Sequence, residues 1–305
     1  MIFLLQYHRF YCIIKEKSKE RKKTMKITRI AVFLIELLTV LTVTAGLSGC
    51  ESAEDKYAKA LELLDEGRIE EAYDIFTGIT NYEDSLNLAT DILKKIQLEK
   101  LKSAEIGEYI SFGSYEQDND MSTENEPIDW LVLDKDGQNI LIISKYALDC
   151  LAYDSTNSTE DITWQSSYIR RWLNRTFLPT AFDEIEQLLI EEVTLKDDDG
   201  NFYEEDDKVF LLSATEAGKY FKKDMDRQCI ATEYAKAMGV SDTKRNIIGD
   251  ENLKTCNWWL RSPGSGYRTA LCVFGKGEFG GSGNAVSDDF RAVRPAIWLD
   301  LGAFE

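Results

Sequence analysis

The sequence predicts an α+β protein, with a helical stretch ahead of a larger mixed domain. Three observations carry that prediction. Between residues 53 and 101 apolar residues recur at three- and four-residue steps, the period of an amphipathic helix. From residue 109 onward, short alternating apolar runs are separated by turn residues, as strands are. Helices and strands mix there without regular strand–helix–strand alternation, which favours α+β over a parallel α/β sheet.

The first segment reads as an address. Lys26 and Arg29 precede the apolar run from Ile30 to Val43, and Leu47-Ser48-Gly49-Cys50 follows. A basic start, an apolar centre and small residues before a cut site make a secretory signal. Glu36 in the middle of the run argues against a permanent transmembrane anchor, since a carboxylate at that depth is costly. The Leu-Ser-Gly-Cys ending resembles the lipobox of bacterial lipoproteins. The resemblance implies that Cys50 is diacylated, becomes the mature N-terminus and anchors the protein to the membrane outside the cytoplasm. The basic run from Lys15 to Lys23 fits no signal, so Met25 is the expected true start and residues 1–49 are leader and signal.

Composition excludes several functions. The chain has 36 basic and 54 acidic residues; residues 1–49 hold nine and three of them, so 27 and 51 remain, a net charge of −24. Such a surface repels nucleic acid, and none is expected as a partner. The single histidine, His8, lies in the leader. The mature chain therefore lacks the usual base near neutral pH, and Ser-His-Asp and Cys-His catalysis are excluded. Cys150, Cys229, Cys256 and Cys272 allow three disulfide pairings. Cys256 with Cys272 is the leading one, because both flank the Trp258-Trp259 strand.

Residues 50–105 form the expected helical spacer. Ala53, Tyr57, Ala60, Leu61, Leu63 and Leu64 make a first run, Gly67 breaks it, Ile69 to Ile79 makes a second, and Leu86 to Leu101 a third. Ala60, Gly67, Ala72 and Phe76 stand where a tetratricopeptide repeat places its small residues and its aromatic. The resemblance covers about one and a half repeats, fewer than a free-standing solenoid needs.

Residues 106–305 form the expected main domain. Gly107 opens it, and Tyr109 to Gly113 reads as a first strand. Gln117 to Glu126 is a polar acidic loop. Strands at 128–133 and 139–144 flank Asp136-Gly137, a hairpin signal. Helices are expected at 164–177, 184–190 and 231–238, and a buried strand at 209–212. Ser213 with Glu216 three residues later makes a capping box. Strands dominate from there to the end.

Four segments together resemble a known family. They are Pro127 to Leu133 with Leu141 to Lys145; Trp164 to Ser167 with Ile169 to Asn174; Asp207 to Ser213; and Trp258-Trp259-Leu260-Arg261-Ser262-Pro263 with Val293-Arg294-Pro295-Ala296. They resemble the domain-of-unknown-function family six-two-seven-three, over roughly residues 108–301. That family is similar in turn to the C-type-lectin-like fold of formylglycine-generating enzymes and retroelement-diversified variable proteins. The resemblance implies a C-type-lectin-like domain whose Gly-rich stretch after Trp259 is a binding surface.

The expected ligand-binding residues are Trp259, Arg261, Tyr267, Arg268, Phe279, Asn284, Asp288, Asp289, Phe290 and Arg291, with Ser282 beside them. Tyr, Ser, Gly and Asn with an occasional Arg are what binding loops use, because they combine rigid area with adaptable hydrogen bonds. One of Trp258 and Trp259 should be core, since they alternate along a strand. Arg261 and Arg294 either converge on a carboxylate or each pair with an Asp such as Asp300. The acidic run Asp197 to Asn201 fails the EF-hand pattern, because Gly200 at its sixth position would make Leu195 the first ligand. No metal and no cofactor is expected. The expected function is non-catalytic binding of an extracellular glycan or protein. An oxidase related to formylglycine generation and a purely structural envelope lipoprotein are the alternatives.

Overall fold

The computed structural model describes residues 52–156, 160–184, 186–247 and 250–303. The lipobox-like segment Leu47 to Cys50, the apolar run and Met25 lie outside the described residues. No helix among the described residues is long and apolar enough to cross a membrane. The chain divides into two compact units, with the boundary between Lys100 and Leu101, five residues before the expected one.

The first unit holds helices α1 (Ala53–Asp65), α2 (Ile69–Thr77) and most of α3 (Ser85–Ser103). Ser52 and Asp55 close a capping box at the start of α1. Gly67, at φ +78°, supplies the left-handed turn between α1 and α2. Ala60, Leu63, Ala72, Tyr73, Phe76, Leu88, Ala89 and Ile92 form the core of this unit. Tyr57 packs edge-on against Phe76 at 5.6 Å, and its hydroxyl donates to Asp84.

The second unit contains two five-stranded sheets and a hairpin. In the first sheet β1 (Tyr109–Tyr115), β2 (Glu126–Asp136), β3 (Asn139–Ser144), β12 (Ala296–Asp300) and β5 (Val209–Phe210) lie side by side in that order, all antiparallel. Asp136 pairs with Asn139 across a two-residue turn in which Gly137 takes φ +62°. The second sheet runs β10 (Asn284–Ala285), β9 (Thr269–Val273), β8 (Trp258–Pro263), β11 (Ala292–Val293) and β4 (Asp149–Cys150), with β11 parallel to β8. Strands β6 (Asp242–Ile247) and β7 (Asp250–Cys256) form the hairpin. The chain crosses between the sheets at 145–148 and again at Arg294-Pro295.

The expected helix at 164–177 is shorter and irregular. Ser167 caps α4 (Tyr168–Trp172), which widens into a π turn at Leu173–Phe177 and resumes as α5 (Leu178–Ala181). Helix α6 (Glu186–Leu189) and strand β5 are likewise shorter than their apolar runs. Helix α7 (Ala214–Tyr220) carries the expected Ser213–Glu216 capping box, and Thr232 caps α8 (Glu233–Ala237).

An aromatic group packs against the first sheet: Phe182 lies 5.3 Å from Phe112 and 6.1 Å from Trp130. Trp130 donates its indole N–H to the Phe112 carbonyl at 2.7 Å. Gly113 is required there: it sits at φ +68°, and a Cβ would stand 2.5 Å from the Phe182 ring.

The unit boundary yields a prediction. Leu101 and Ala104 are buried, and the Ala104 carbonyl accepts from Lys135 at 2.7 Å. A fragment starting at Leu101 should unfold in one cooperative transition. A fragment starting at Ile106 should be less stable by about 1.5–3 kcal/mol, the value of one buried leucine. Urea melts of the two compare them, and equal midpoints would show that residues 101–105 contribute nothing.

Candidate functional site

Strand β8 is central in its sheet, and both of its faces are covered. Trp258 and Trp259 both have no accessible surface. Trp258 donates to the Arg227 carbonyl at 3.0 Å, and Trp259 to the Leu151 carbonyl at 2.9 Å. The expectation that Trp259 meets ligand is corrected: alternation puts the two indoles on opposite faces, but neither face is open.

Arg261 is corrected in the same way. It is 1% exposed and donates to the Leu211 and Lys196 carbonyls at 2.8 Å and to Glu216 Oε1 at 2.7 Å. Glu216 also accepts from Ser213 N at 3.0 Å. One carboxylate thus caps α7 and holds β8. Arg294 donates to the Ser144 carbonyl at 2.9 Å and lies over Trp258 and Phe221. The two arginines do not converge, and Asp300 instead accepts from Gly302 N at 2.9 Å.

In the Gly-rich stretch Arg291 organises the interior. It is buried, donates to Asn284 Oδ1 at 2.5 Å and to Asp288 Oδ2 at 3.0 Å, and lies 5.3 Å over Trp259. Asn284 in turn donates to Cys272 Sγ at 3.0 Å. Arg291, Asn284 and Asp288 therefore tie loops together, and Arg291 is corrected from contact residue to buried anchor. Arg268, at φ +50°, is tied back by its guanidinium to the Thr156 carbonyl at 2.7 Å and by its backbone N–H to Asp161 at 2.9 Å. Phe279 is half-buried beneath the Arg227 guanidinium at 4.4 Å.

Of the ten expected residues, Tyr267, Asp289 and Phe290 are exposed, Tyr267 at 64% and Phe290 at 43%. Ser282 is exposed beside them. Tyr267 sits in the turn between β8 and β9, next to the pairing of Pro263 with Ala270. Phe290 lies two residues before Ala292, which pairs with Trp258. The two aromatics therefore flank opposite ends of a six-residue strand, roughly 17 Å apart along it at the usual rise.

Sequence reasoning assigned no role to the cluster at Asp207. Trp164 donates to Asp207 Oδ2 at 2.8 Å, and Arg170 Nε and Asn174 Nδ2 donate to Oδ1 at 2.7 and 3.1 Å. Asn174 Oδ1 accepts from both Lys208 N and Val209 N at 3.0 Å, and Asn174 Nδ2 donates to the Val209 carbonyl at 2.9 Å. Burial pushes the Asp207 carboxyl up, against the hydrogen bonds from Trp164 and Arg170. The available signal was spacing: Ser167, Arg170 and Asn174 repeat at helical steps beside apolar Ile169 and Leu173. A cleft of about 210 Å³ lies alongside, lined by Arg171, Arg175, Lys208, Glu192 and Asp206 among others. It is smaller than ligand pockets usually are, and Arg170 and Asp207, which also line it, hold each other.

All four described cysteines are free thiols and buried. The expected pairing of Cys256 with Cys272 is corrected: Cys256 hydrogen-bonds with Cys229, while Cys272 lies under Asn284 and Arg291. Burial pushes Cys150 up to about 12 and Cys272 up to about 11. Burial acts the same way on Cys229, but Cys256 and the Arg294 charge outweigh it and lower it.

Residues 137–301 match the family described as Domain of unknown function (DUF6273). The chain belongs to that family. No curated protein and no solved structure matches it. The match begins at the β2–β3 turn, later than the expected residue 108. It spans Trp164, Arg170, Asn174, Asp207, Arg261 and Arg294, residues that this chain uses to join its segments.

The site predicts a contrast. Asp207→Ala should destabilise by about 3–5 kcal/mol, because Trp164, Arg170 and Asn174 lose the buried carboxylate they share and Arg170 keeps only the exposed Glu205. Tyr267→Ala should stay within about 0.5 kcal/mol. Denaturant melts measure both, and a loss under about 1 kcal/mol for Asp207→Ala would show that the cluster holds little.

Proposed function

We propose that the protein is a surface-anchored recognition lipoprotein that binds an extracellular glycan or protein without catalysis. Cys50 carries the lipid, the helical unit acts as a tetratricopeptide-like spacer, and a C-type-lectin-like domain presents the binding loops. The observation that carries the reading is the pairing of exposed aromatics with buried anchors. Tyr267 and Phe290 face solvent, while their neighbours are fixed: Arg268 by a hydrogen bond to the Thr156 carbonyl, and Arg291 by Asn284 and Asp288 and by its carbonyl, which accepts from Leu151 N. A loop fixed before binding loses little freedom on binding, which favours affinity. A mature chain without histidine, and with the Cys150 and Cys272 thiols raised and buried, favours binding over acid–base or thiol chemistry.

One observation favours the oxidase alternative. Cys229 and Cys256 meet beside Arg294, which is an arrangement that activates a thiol. Both cysteines are sealed from solvent, so the recognition reading is preferred.

Two outcomes test the proposal. On glycan and surface-protein arrays, the protein should give discrete hits that Tyr267→Ala or Phe290→Ala weakens by about 30-fold, the value of a 2 kcal/mol interface anchor. Binding that survives both substitutions unchanged would move the site elsewhere. Cys50→Ala should leave the precursor uncleaved or release the protein from the membrane fraction; unchanged processing and partitioning would remove the anchor from the proposal.

A further inference from the structure

The loop between β1 and β2 holds a second feature. Residues 116–126 contain Glu116, Asp118, Asp120, Glu124 and Glu126 and no basic residue. Tyr115 pairs with Glu126 where the strands meet, so Glu116 and Glu126 stand together at the loop's neck. Carboxylate oxygens of Glu116, Asp118 and Glu126 lie within 4.8 Å of one another. Glu116 is only 5% exposed, and its Oε1 is buried with no hydrogen-bond partner. Asn119 N–H and Asp118 hydrogen-bond with the group, but a buried carboxylate oxygen left without a partner beside two more carboxylates is costly to maintain.

The loop is folded around these groups. Glu126 Oε2 accepts from Gln117 N at 2.7 Å and Asp118 N at 3.3 Å, and Asp118 Oδ1 accepts from Asp120 N at 2.7 Å. Those bonds fix Glu126 and Asp118 through one oxygen each and leave Glu126 Oε1 and Asp118 Oδ2 outside them. The Gln117 carbonyl accepts from Tyr234 N at 3.0 Å, which docks the loop on the start of α8.

We propose that Glu116, Asp118 and Glu126 bind a hard divalent cation, with calcium the best fit. Oxygens bound to one calcium ion at about 2.3–2.6 Å stand at most about 5 Å apart, which the cluster satisfies. Three carboxylates and no nitrogen or sulfur donor select calcium over zinc or copper. Asp118 is exposed, so water would complete the shell and affinity is modest. The cation neutralises Glu116 and ties the loop neck to the end of β1. The site is separate from the Gly-rich stretch and does not rest on the proposed recognition function.

Titration of the purified full chain with calcium chloride, by calorimetry and thermal melting, tests the proposal, with terbium luminescence excited through the tyrosines as a second probe. Saturable binding with Kd of about 0.1–1 mM is expected, the range of extracellular calcium modules. Asp118→Asn, at an exposed position, should weaken it at least about 10-fold, the loss of one charged ligand. Glu116→Gln should abolish the calcium-dependent rise in Tm while melting no lower than wild type without calcium. The double variant Asp197→Asn/Asp199→Asn should bind as wild type does. No saturable binding up to about 10 mM calcium would overturn the site. An unchanged calcium response in Asp118→Asn and Glu116→Gln would overturn it too, since it would leave only general screening of an acidic surface.

Discussion

Asp207 is the point on which the larger unit turns. Its carboxylate receives Trp164, Arg170 and Asn174, and its backbone exchanges two hydrogen bonds with Val193 at 3.0 Å each. Asn174 then offers both halves of its amide to Val209, as a neighbouring strand would. That arrangement closes the free edge of β5, an edge that otherwise invites pairing with another chain. The π turn fits the same need. Widening the helix at Leu173–Phe177 is a local irregularity, and it coincides with the residue whose side chain leaves the helix to hold β5. A buried charge pair is weak evidence for net stability. Its effect here is to fix one arrangement of helix, loop and edge strand.

A second ionic contact repeats the logic at the other sheet. Glu216 caps α7 and binds Arg261, and the Arg261 N–H donates to the Leu212 carbonyl at 3.0 Å. The two sheets are thus joined where β8 meets the segment after β5. Arg291 repeats it once more within the Gly-rich stretch. Each guanidinium suits this task because it carries several donors in a fixed plane and stays charged when buried. The aromatic faces of Trp258 and Trp259 lie against Arg294 and Arg291, which offsets part of the cost of burying those cations.

The division between anchors and exposed tips gives the proposed recognition loops their character. Long Gly-rich segments lose much freedom when they bind. Here Arg268 and Arg291 have already fixed the backbone beside Tyr267 and Phe290. The tips can therefore vary in side chain while the anchors stay, provided that Gly283, at φ +86° and packed against Gly264, keeps its turn.

The sequence alone determined what depends on local pattern. Period fixed the three N-terminal helices, alternation and Gly137 fixed the β2–β3 hairpin, and Ser213 with Glu216 fixed a cap, because each signal lies within a few residues of its effect. Composition set the expectations against histidine chemistry and nucleic-acid binding, and the motif segments were sufficient to place the family. Tertiary structure decided which motif residues face inward. Trp259, Arg261 and Arg291 have the chemistry of contact residues, and only the position of β8 between β9 and β11 shows that they are enclosed. The Asp207 cluster escaped notice because its members are separated by more than thirty residues, and no local period links a helix face to a distant carboxylate. The meeting of Glu116 with Glu126 likewise follows from the pairing of β1 with β2: the physical reason is register, which brings distant side chains together and is set by the whole sheet.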